Sequence, residues 1–172
     1  MRLKNLLSFI ALFGFSGAHA QFKNILIDSI GDPNEVSIAI DFSNSNNLVA
    51  GANLNNVYTS NDAGKTWTNK KMYSKYTVYG DPCIISDYKG NFYYFHLSDY
   101  KNGTWIDRIV AQKTKNKGKK WKLDTYMGKN GIKAQDKEWG VVDKQNGNIY
   151  VTWTQFDKYE SKLPEDKSLI LF

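Results

Sequence analysis

The chain has 172 residues, a formal net charge of +6 at pH 7, one cysteine and two histidines. A single cysteine excludes an internal disulfide framework. No stretch has sustained helical periodicity, which argues against helical bundles and coiled coils.

The first twenty residues have the pattern of a secretory signal peptide. Arg2 and Lys4 form a basic segment, an apolar run extends from Leu6 to Phe15, and Ala18-His19-Ala20 has the spacing of a cleavage site. The apolar run is about half as long as the ~20 residues that span a bilayer. We therefore expect cleavage near Ala20, export to the periplasm or medium, and no membrane span.

The rest of the chain, residues 21–172, predicts an all-β domain. Short runs of Val, Ile, Tyr, Phe and Trp are bounded by Gly, Asn, Asp or Ser, which is typical of short antiparallel strands. The first strand begins at Glu35 and ends at Asp41, and a turn through 44–47 leads into the next one. Cys83 lies in the apolar run 82–85 and is expected to be buried. His96 is the one histidine after the signal peptide, so a histidine metal site or a Ser-His-Asp triad is not supported.

An octapeptide with the pattern S-x-D-x-G-x-T-W follows the third strand at residues 60–67. Asp62 can accept backbone N–H groups and close an Asx turn. Gly64 supplies a positive φ, the hydroxyls of Ser60 and Thr66 can join the strand ends, and Trp67 can cover the hairpin. These residues are therefore interpreted as structural.

A degenerate copy lies at Thr114, Asn116, Gly118 and Trp121, where Asn116 can make the same local bonds as an aspartate. It overlaps a basic run in which six of the ten residues 113–122 are lysines. Nucleic-acid binding is one interpretation of this run, but a solvated hairpin tip accounts for it better. We expect no nucleic-acid partner.

A repeat of roughly fifty residues, the size of a four-stranded propeller blade, organises the chain. The three copies lie at approximately 35–68, 81–122 and 136–172. Each begins with an apolar strand that ends in Asp, followed by a turn and a second strand. The third copy stops at the strand that would enter another octapeptide, so we expect the remainder of a propeller downstream in a longer protein.

The octapeptides resemble the Asp-boxes of bacterial neuraminidase (BNR) repeat proteins, whose sialidase-like β-propellers typically have six blades. This resemblance implies a partial β-propeller of about two and a half to three blades, with the octapeptides on the outer rim. It also implies a carbohydrate or glycoconjugate partner. Sialidases use a Tyr nucleophile, an acidic residue and three arginines that clamp the substrate carboxylate. The chain departs from that pattern, because Arg108 is its only arginine after the signal peptide and the early Arg-Ile-Pro motif is absent.

Acidic residues recur where successive blades begin, at Glu35, Asp81 and Asp136 or Lys137. With Arg108, the three acids are the candidate residues of a propeller channel mouth. Carboxylates there could bind a cation or act as acid/base groups. The alternative is that they only shape turns before strands, as Asp81-Pro82 would. No cofactor is expected.

Exposed aromatic residues are a second candidate feature, because flat rings can stack on sugars, although strand aromatics more often pack between blades. The candidates are Trp105, Trp139, Trp153, Tyr93 and Tyr150. Two classes of function remain open: a secreted glycoside hydrolase of the exo-sialidase type, and a non-catalytic propeller that binds glycan or protein.

Overall fold

The computed structural model describes residues 23–101 and 103–172, which form three antiparallel sheets and no helix. The predicted all-β class is confirmed. The first sheet contains β1 (Ser37–Ile40), β2 (Leu48–Ala52), β3 (Asn56–Ser60) and β4 (Thr68–Lys71). The second contains β5 (Cys83–Ser86), β6 (Phe92–Asp99), β7 (Trp105–Thr114) and β8 (Lys122–Met127). The third contains β9 (Ala134–Val142), β10 (Ile149–Phe156) and β11 (Ser168–Leu171).

Every sheet is a simple meander, in which each strand pairs with the next strand along the chain. The hairpins that join the first two strands of each sheet begin at an aspartate. Asp41, Asp87 and Asp143 each accept a backbone N–H from two residues ahead, at 2.8, 2.9 and 2.7 Å respectively. These Asx turns explain why an aspartate recurs at the end of each first strand.

The first strands of the three sheets lie side by side. The Ile84 N–H on β5 donates to Ser37 Oγ on β1 at 2.9 Å. The Gly140 N–H on β9 donates to Cys83 Sγ on β5 at 3.3 Å. Because β5 contacts both β1 and β9, the ends of these strands bring three separate loops together.

The second sheet is covered on both faces. Successive side chains of a strand point to opposite faces, so its strands carry apolar residues at consecutive positions. Phe92 and Tyr94 pack with Val49 and Val57 of the first sheet. Phe95 and its neighbours pack towards the third sheet, in the cluster that contains Cys83, Ile109, Val151 and Trp153. Gly51 permits the close approach of the first two sheets, since a Cβ there would lie 3.0 Å from side-chain atoms of Ile84 and Tyr94.

Within the described ranges, no helix is long and apolar enough to cross a membrane. The predicted signal peptide and its cleavage site near Ala20 lie outside the described residues.

Candidate functional site

The first octapeptide forms a hairpin between β3 and β4 that is closed by side-chain hydrogen bonds. Asp62 accepts the Thr66 N–H at 2.9 Å and the Thr66 hydroxyl at 2.6 Å. The Ser60 hydroxyl donates to Asp62 at 2.8 Å and accepts the Gly64 N–H at 2.9 Å. These bonds lower the pKa of Asp62 to about 2. Trp67 donates its indole N–H to the Gly64 carbonyl at 3.0 Å. All of the polar groups that the motif provides are used by the turn itself.

The second octapeptide, between β7 and β8, repeats this arrangement. Asn116 accepts the Thr114 hydroxyl and the Lys120 N–H, both at 2.8 Å. Gly118 has a φ of +79°, close to the +82° of Gly64. Trp121 packs edge-on against Tyr94, with 5.8 Å between the ring centroids. Neither octapeptide lies with the acidic candidates, which are found where β1, β5 and β9 begin.

The loops before β1 and β5 and one position inside β9 have the same local backbone. Glu35 and Asp81 each stand two residues before their strands, and Lys137 lies within β9 at the irregularity in its pairing with β10. Each of the three has a φ of +48°. Residues other than glycine rarely adopt this left-handed conformation. It is also found preferentially at functional sites, where neighbouring contacts hold it in place. The structural equivalent of Glu35 and Asp81 is therefore Lys137, and Asp136 precedes it.

Contacts from Asn53 hold the first two of these loops together. The Asp81 N–H donates to Asn53 Oδ1 at 2.7 Å, and Asn53 Nδ2 donates to Asn34 Oδ1 at 3.1 Å. Gly80 has to lack a side chain here, because a Cβ would lie 2.4 Å from Asn53 Oδ1. These contacts fix the position from which the Asp81 carboxyl group points into the cleft.

The carboxyl groups of Glu35 and Asp81 are hydrogen-bonded to each other. Burial and then the bond to Glu35 raise the pKa of Asp81 to about 7. The same bond lowers the pKa of Glu35, which is the more exposed of the two. Below about pH 7 the environment thus favours the protonated form of Asp81 and the ionised form of Glu35.

Asp136, Lys137 and Glu138 bring further charges to the same place. Burial raises the pKa of Asp136. Lys137 Nζ lies 3.9 Å from Asp81 Oδ2, and its side chain is 62% exposed. Glu138 is only 1% exposed, and burial raises its pKa well above the ordinary value. Neither of its carboxyl oxygens has a hydrogen-bond partner among the residues that the structure describes.

Aromatic side chains form one wall of this cleft, which has a volume of about 450 Å³. Trp105 is packed edge-on between Tyr79 and Tyr159, with centroid distances of 5.8 and 4.9 Å. Trp105 remains 42% exposed. The negative charge of Asp136, followed by burial, raises the pKa of Tyr159, which places this ring close to the acids. The lining residues are Glu35, Asn53, Leu54, Tyr79, Asp81, Leu97, Trp105, Ile106, Asp136, Lys137 and Tyr159.

Arg108 is not among the residues that line the cleft. Its guanidinium group makes two 2.6 Å hydrogen bonds with the Asp107 carboxylate. It is also enclosed by the rings of Tyr76, Tyr100 and Tyr126, at 4.8 to 5.1 Å from their centroids. A side chain that is 4% exposed and engaged in this way is not available to clamp a substrate carboxylate. The structure thus groups the three acidic candidates but places Arg108 elsewhere.

The other aromatic candidates lie away from the cleft. Trp153 packs towards the second sheet and donates to Gln135 Oε1 at 2.8 Å. The Tyr93 hydroxyl donates to Asp87, and Tyr150 stacks on Phe172. Trp139 is 60% exposed but does not line the cleft. A separate apolar cavity of about 520 Å³ between the second and third sheets includes Tyr93, Tyr150 and Trp153 in its lining. Among the residues that the structure describes, no Asp or Glu lines this cavity.

The cleft therefore combines a hydrogen-bonded carboxyl pair, a third acid, one lysine and an aromatic wall. Among the described residues, no three His, Cys, Asp or Glu side chains are grouped as ligands for one metal ion. His96 is fully buried, and burial lowers its pKa to about 4. No protein-family model matches the chain, and no curated protein has a matching sequence.

Proposed function

We propose that this chain is part of an exported sialidase-like β-propeller that recognises carbohydrate in the acidic, aromatic-walled cleft. Three successive meander sheets with adjacent first strands support the propeller interpretation. The octapeptides support it further, since both occupy the hairpin between the third and fourth strands of their sheets. For the exported form, we expect a mature protein that begins at Gln21, which intact mass measurement would test.

The observation that carries the carbohydrate proposal is the aromatic wall in the same cleft as the carboxyl pair. Sugar rings present apolar C–H faces and polar hydroxyl edges. An exposed Trp105 face suits the former, because aromatic rings bury a large apolar area. Glu35 and Asp81 suit the latter, because the ionised Glu35 accepts strong hydrogen bonds from hydroxyl groups and a protonated Asp81 can donate one. A cleft of about 450 Å³ is within the size range of small-molecule sites.

Trp105→Ala tests this proposal. We expect the full-length chain to bind short soluble oligosaccharides in isothermal titration calorimetry, and the substitution to weaken that binding at least tenfold. Trp139→Ala is the matched control, because it removes an exposed tryptophan outside the cleft. Equal affinities for the wild type and both variants would refute cleft binding. Equal losses in both variants would point to a general effect on the fold.

A catalytic version of the same function is favoured by one specific observation. Burial raises the pKa of Asp81 to about 7, which is close to the value that suits a general acid acting at neutral pH. Glycoside hydrolysis would then use Asp81 as the acid, with Glu35 as its hydrogen-bond partner. No arginine lies in the cleft within the described ranges, so the substrate panel should contain neutral aryl glycosides as well as sialosides.

Turnover of a fluorogenic glycoside that falls at least a hundredfold in Asp81→Asn, while oligosaccharide affinity changes less than threefold, would support catalysis. Oligosaccharide binding without turnover by the wild-type protein would leave the non-catalytic propeller as the function. The two candidates are therefore separated by one pair of assays.

A further inference from the structure

We infer that the cleft selects a cationic amino sugar, one with a free protonated amine, over the neutral N-acetylated sugar or an anionic sugar. This inference rests on the proposed carbohydrate binding and names its ligand class. It is carried by the charges and hydrogen-bonding groups that converge on the cleft.

The charged groups that line the cleft are predominantly acidic. Glu35, Asp81 and Asp136 contribute carboxyl groups, whereas Lys137 is the single basic residue that lines the cleft in the described part of the chain. Lys137 is at the limit of an ion pair with Asp81, at 3.9 Å, and its side chain is largely in solvent. A ligand carboxylate would be repelled by the carboxyl groups and would have only Lys137 as a counter-charge. An ammonium group would instead have several hydrogen-bond acceptors. Like charges at short range suppress binding, and opposite charges favour it.

Glu138 is a second and independent observation. It lies on the face of β9 that also carries Gly140, which contacts Cys83 on β5. Asp81 and Asp136 are near enough for their negative charges to add to the effect of burial on the pKa of Glu138. A buried carboxyl group without a partner is costly. This one is near a cluster in which three acids face one largely exposed lysine.

A primary ammonium group supplies what these acids lack. It carries one positive charge and three N–H donors, and in an amino sugar it is attached to a ring that can lie on Trp105. Arg108 could have supplied the charge, but it is enclosed by three tyrosines and paired with Asp107. Lys129 is likewise paired with Asp107, at 2.8 Å. Because the acids of the cleft outnumber Lys137, a further cationic partner is expected to come from the ligand.

Two tetrasaccharides of the same linkage test the inference: a β-1,4-linked glucosamine tetramer and its fully N-acetylated counterpart. Calorimetric titrations of the full-length chain at about pH 6 should give at least tenfold tighter binding of the glucosamine tetramer. Binding should also release protons, since an ammonium group stabilises the ionised acids. Proton release is measured by repeating the titration in buffers of different ionisation enthalpy.

Three variants sharpen the result. Glu35→Gln removes a lining carboxylate and should weaken binding of the glucosamine tetramer at least fivefold. Lys137→Gln removes the competing cation and should tighten binding about threefold. Glu165→Gln removes an exposed carboxylate that does not line the cleft, and it should leave the affinity within twofold of the wild type.

Each other outcome overturns the inference in a recognisable way. Equal or tighter binding of the N-acetylated tetramer would leave the proposed carbohydrate binding intact and refute the charge selection. Binding of neither tetramer would refute both. A preference that disappears with EDTA and returns with calcium would assign the carboxyl cluster to a metal ion instead of an ammonium group.

Discussion

Replacement of Glu138 by Gln should change how the stability of the protein depends on pH. Glu138 is almost fully buried, and both of its carboxyl oxygens lack partners among the described residues. Burial raises its pKa well above the ordinary value of 4.5. The folded protein therefore keeps the proton at pH values where the unfolded chain has released it.

The sign and size of the effect follow from this difference. A carboxyl group whose pKa is raised on folding stabilises the unfolded state increasingly as the pH rises above its unfolded pKa. The cost is about 1.4 kcal/mol for each pH unit between the two pKa values. Glu138→Gln removes this titration, so the unfolding free energy of the variant relative to the wild type should rise from pH 5 to pH 7, by at most about 2.7 kcal/mol over these two pH units. Asp81 titrates in both proteins, so its contribution largely cancels in the comparison.

Urea unfolding followed by tryptophan fluorescence at pH 5, 6 and 7 measures this slope. Glu138→Met serves as a second variant, because it removes the titration without adding a buried amide, and Glu165→Gln serves as the exposed control. The dependence of the unfolding free energy on pH is the diagnostic quantity, because a constant difference between variant and wild type reports only repacking. Parallel stability curves for the wild type and both Glu138 variants would refute the burial of a protonated acid.

Three further predictions concern other parts of the fold. Gly118→Ala should destabilise the protein by about 1–3 kcal/mol more than Gly131→Ala in thermal unfolding. Both positions have a positive φ, but a Cβ at Gly118 would lie 2.6 Å from Thr59 Cγ2, whereas a Cβ at Gly131 would have no atom within 4 Å. Equal losses of stability in the two variants would contradict the packing of the second octapeptide. Arg108→Met should lower the unfolding free energy by about 1.5–3 kcal/mol, because it removes the buried partner of the Asp107 carboxylate and leaves it with the half-exposed Lys129. A loss below about 1 kcal/mol in urea unfolding would refute that role. Cys83 should resist iodoacetamide at about pH 8 in the native protein and react in urea, because burial raises the pKa of its thiol to about 11. Rapid alkylation of the native protein, detected by mass spectrometry, would show that β5 is exposed.

The repeat in the sequence predicts the three sheets and the hairpins formed by the two octapeptides. Asp62 and Gly64 specify their hairpin through bonds made within eight residues, so local chemistry alone predicts the turn. Asp41 and Asp87 mark strand ends for the same reason. The acids Glu35, Asp81 and Asp136 could be grouped because they recur at one point of the repeat.

The rest of the cleft depends on contacts between distant parts of the chain. Tyr159 comes from the loop between β10 and β11, and no periodic pattern marks it as a neighbour of Trp105. Glu138 was not singled out, because its burial follows from the packing of β9 on β5. Arg108 was grouped with the acids by residue type, whereas the structure surrounds it with tyrosines from three separate segments. The positions of these side chains depend on tertiary packing, which cannot be read from a single sequence.

The shared φ of +48° at Glu35, Asp81 and Lys137 separates the path of the chain from the chemistry that it presents. The three positions have one backbone geometry, yet they carry two acids and one base. A side chain that tolerates this conformation can be exchanged at any of the three positions without a change in the local path of the backbone. The ligand preference of the cleft can therefore be altered by single substitutions at these three positions while the sheets behind them stay unchanged.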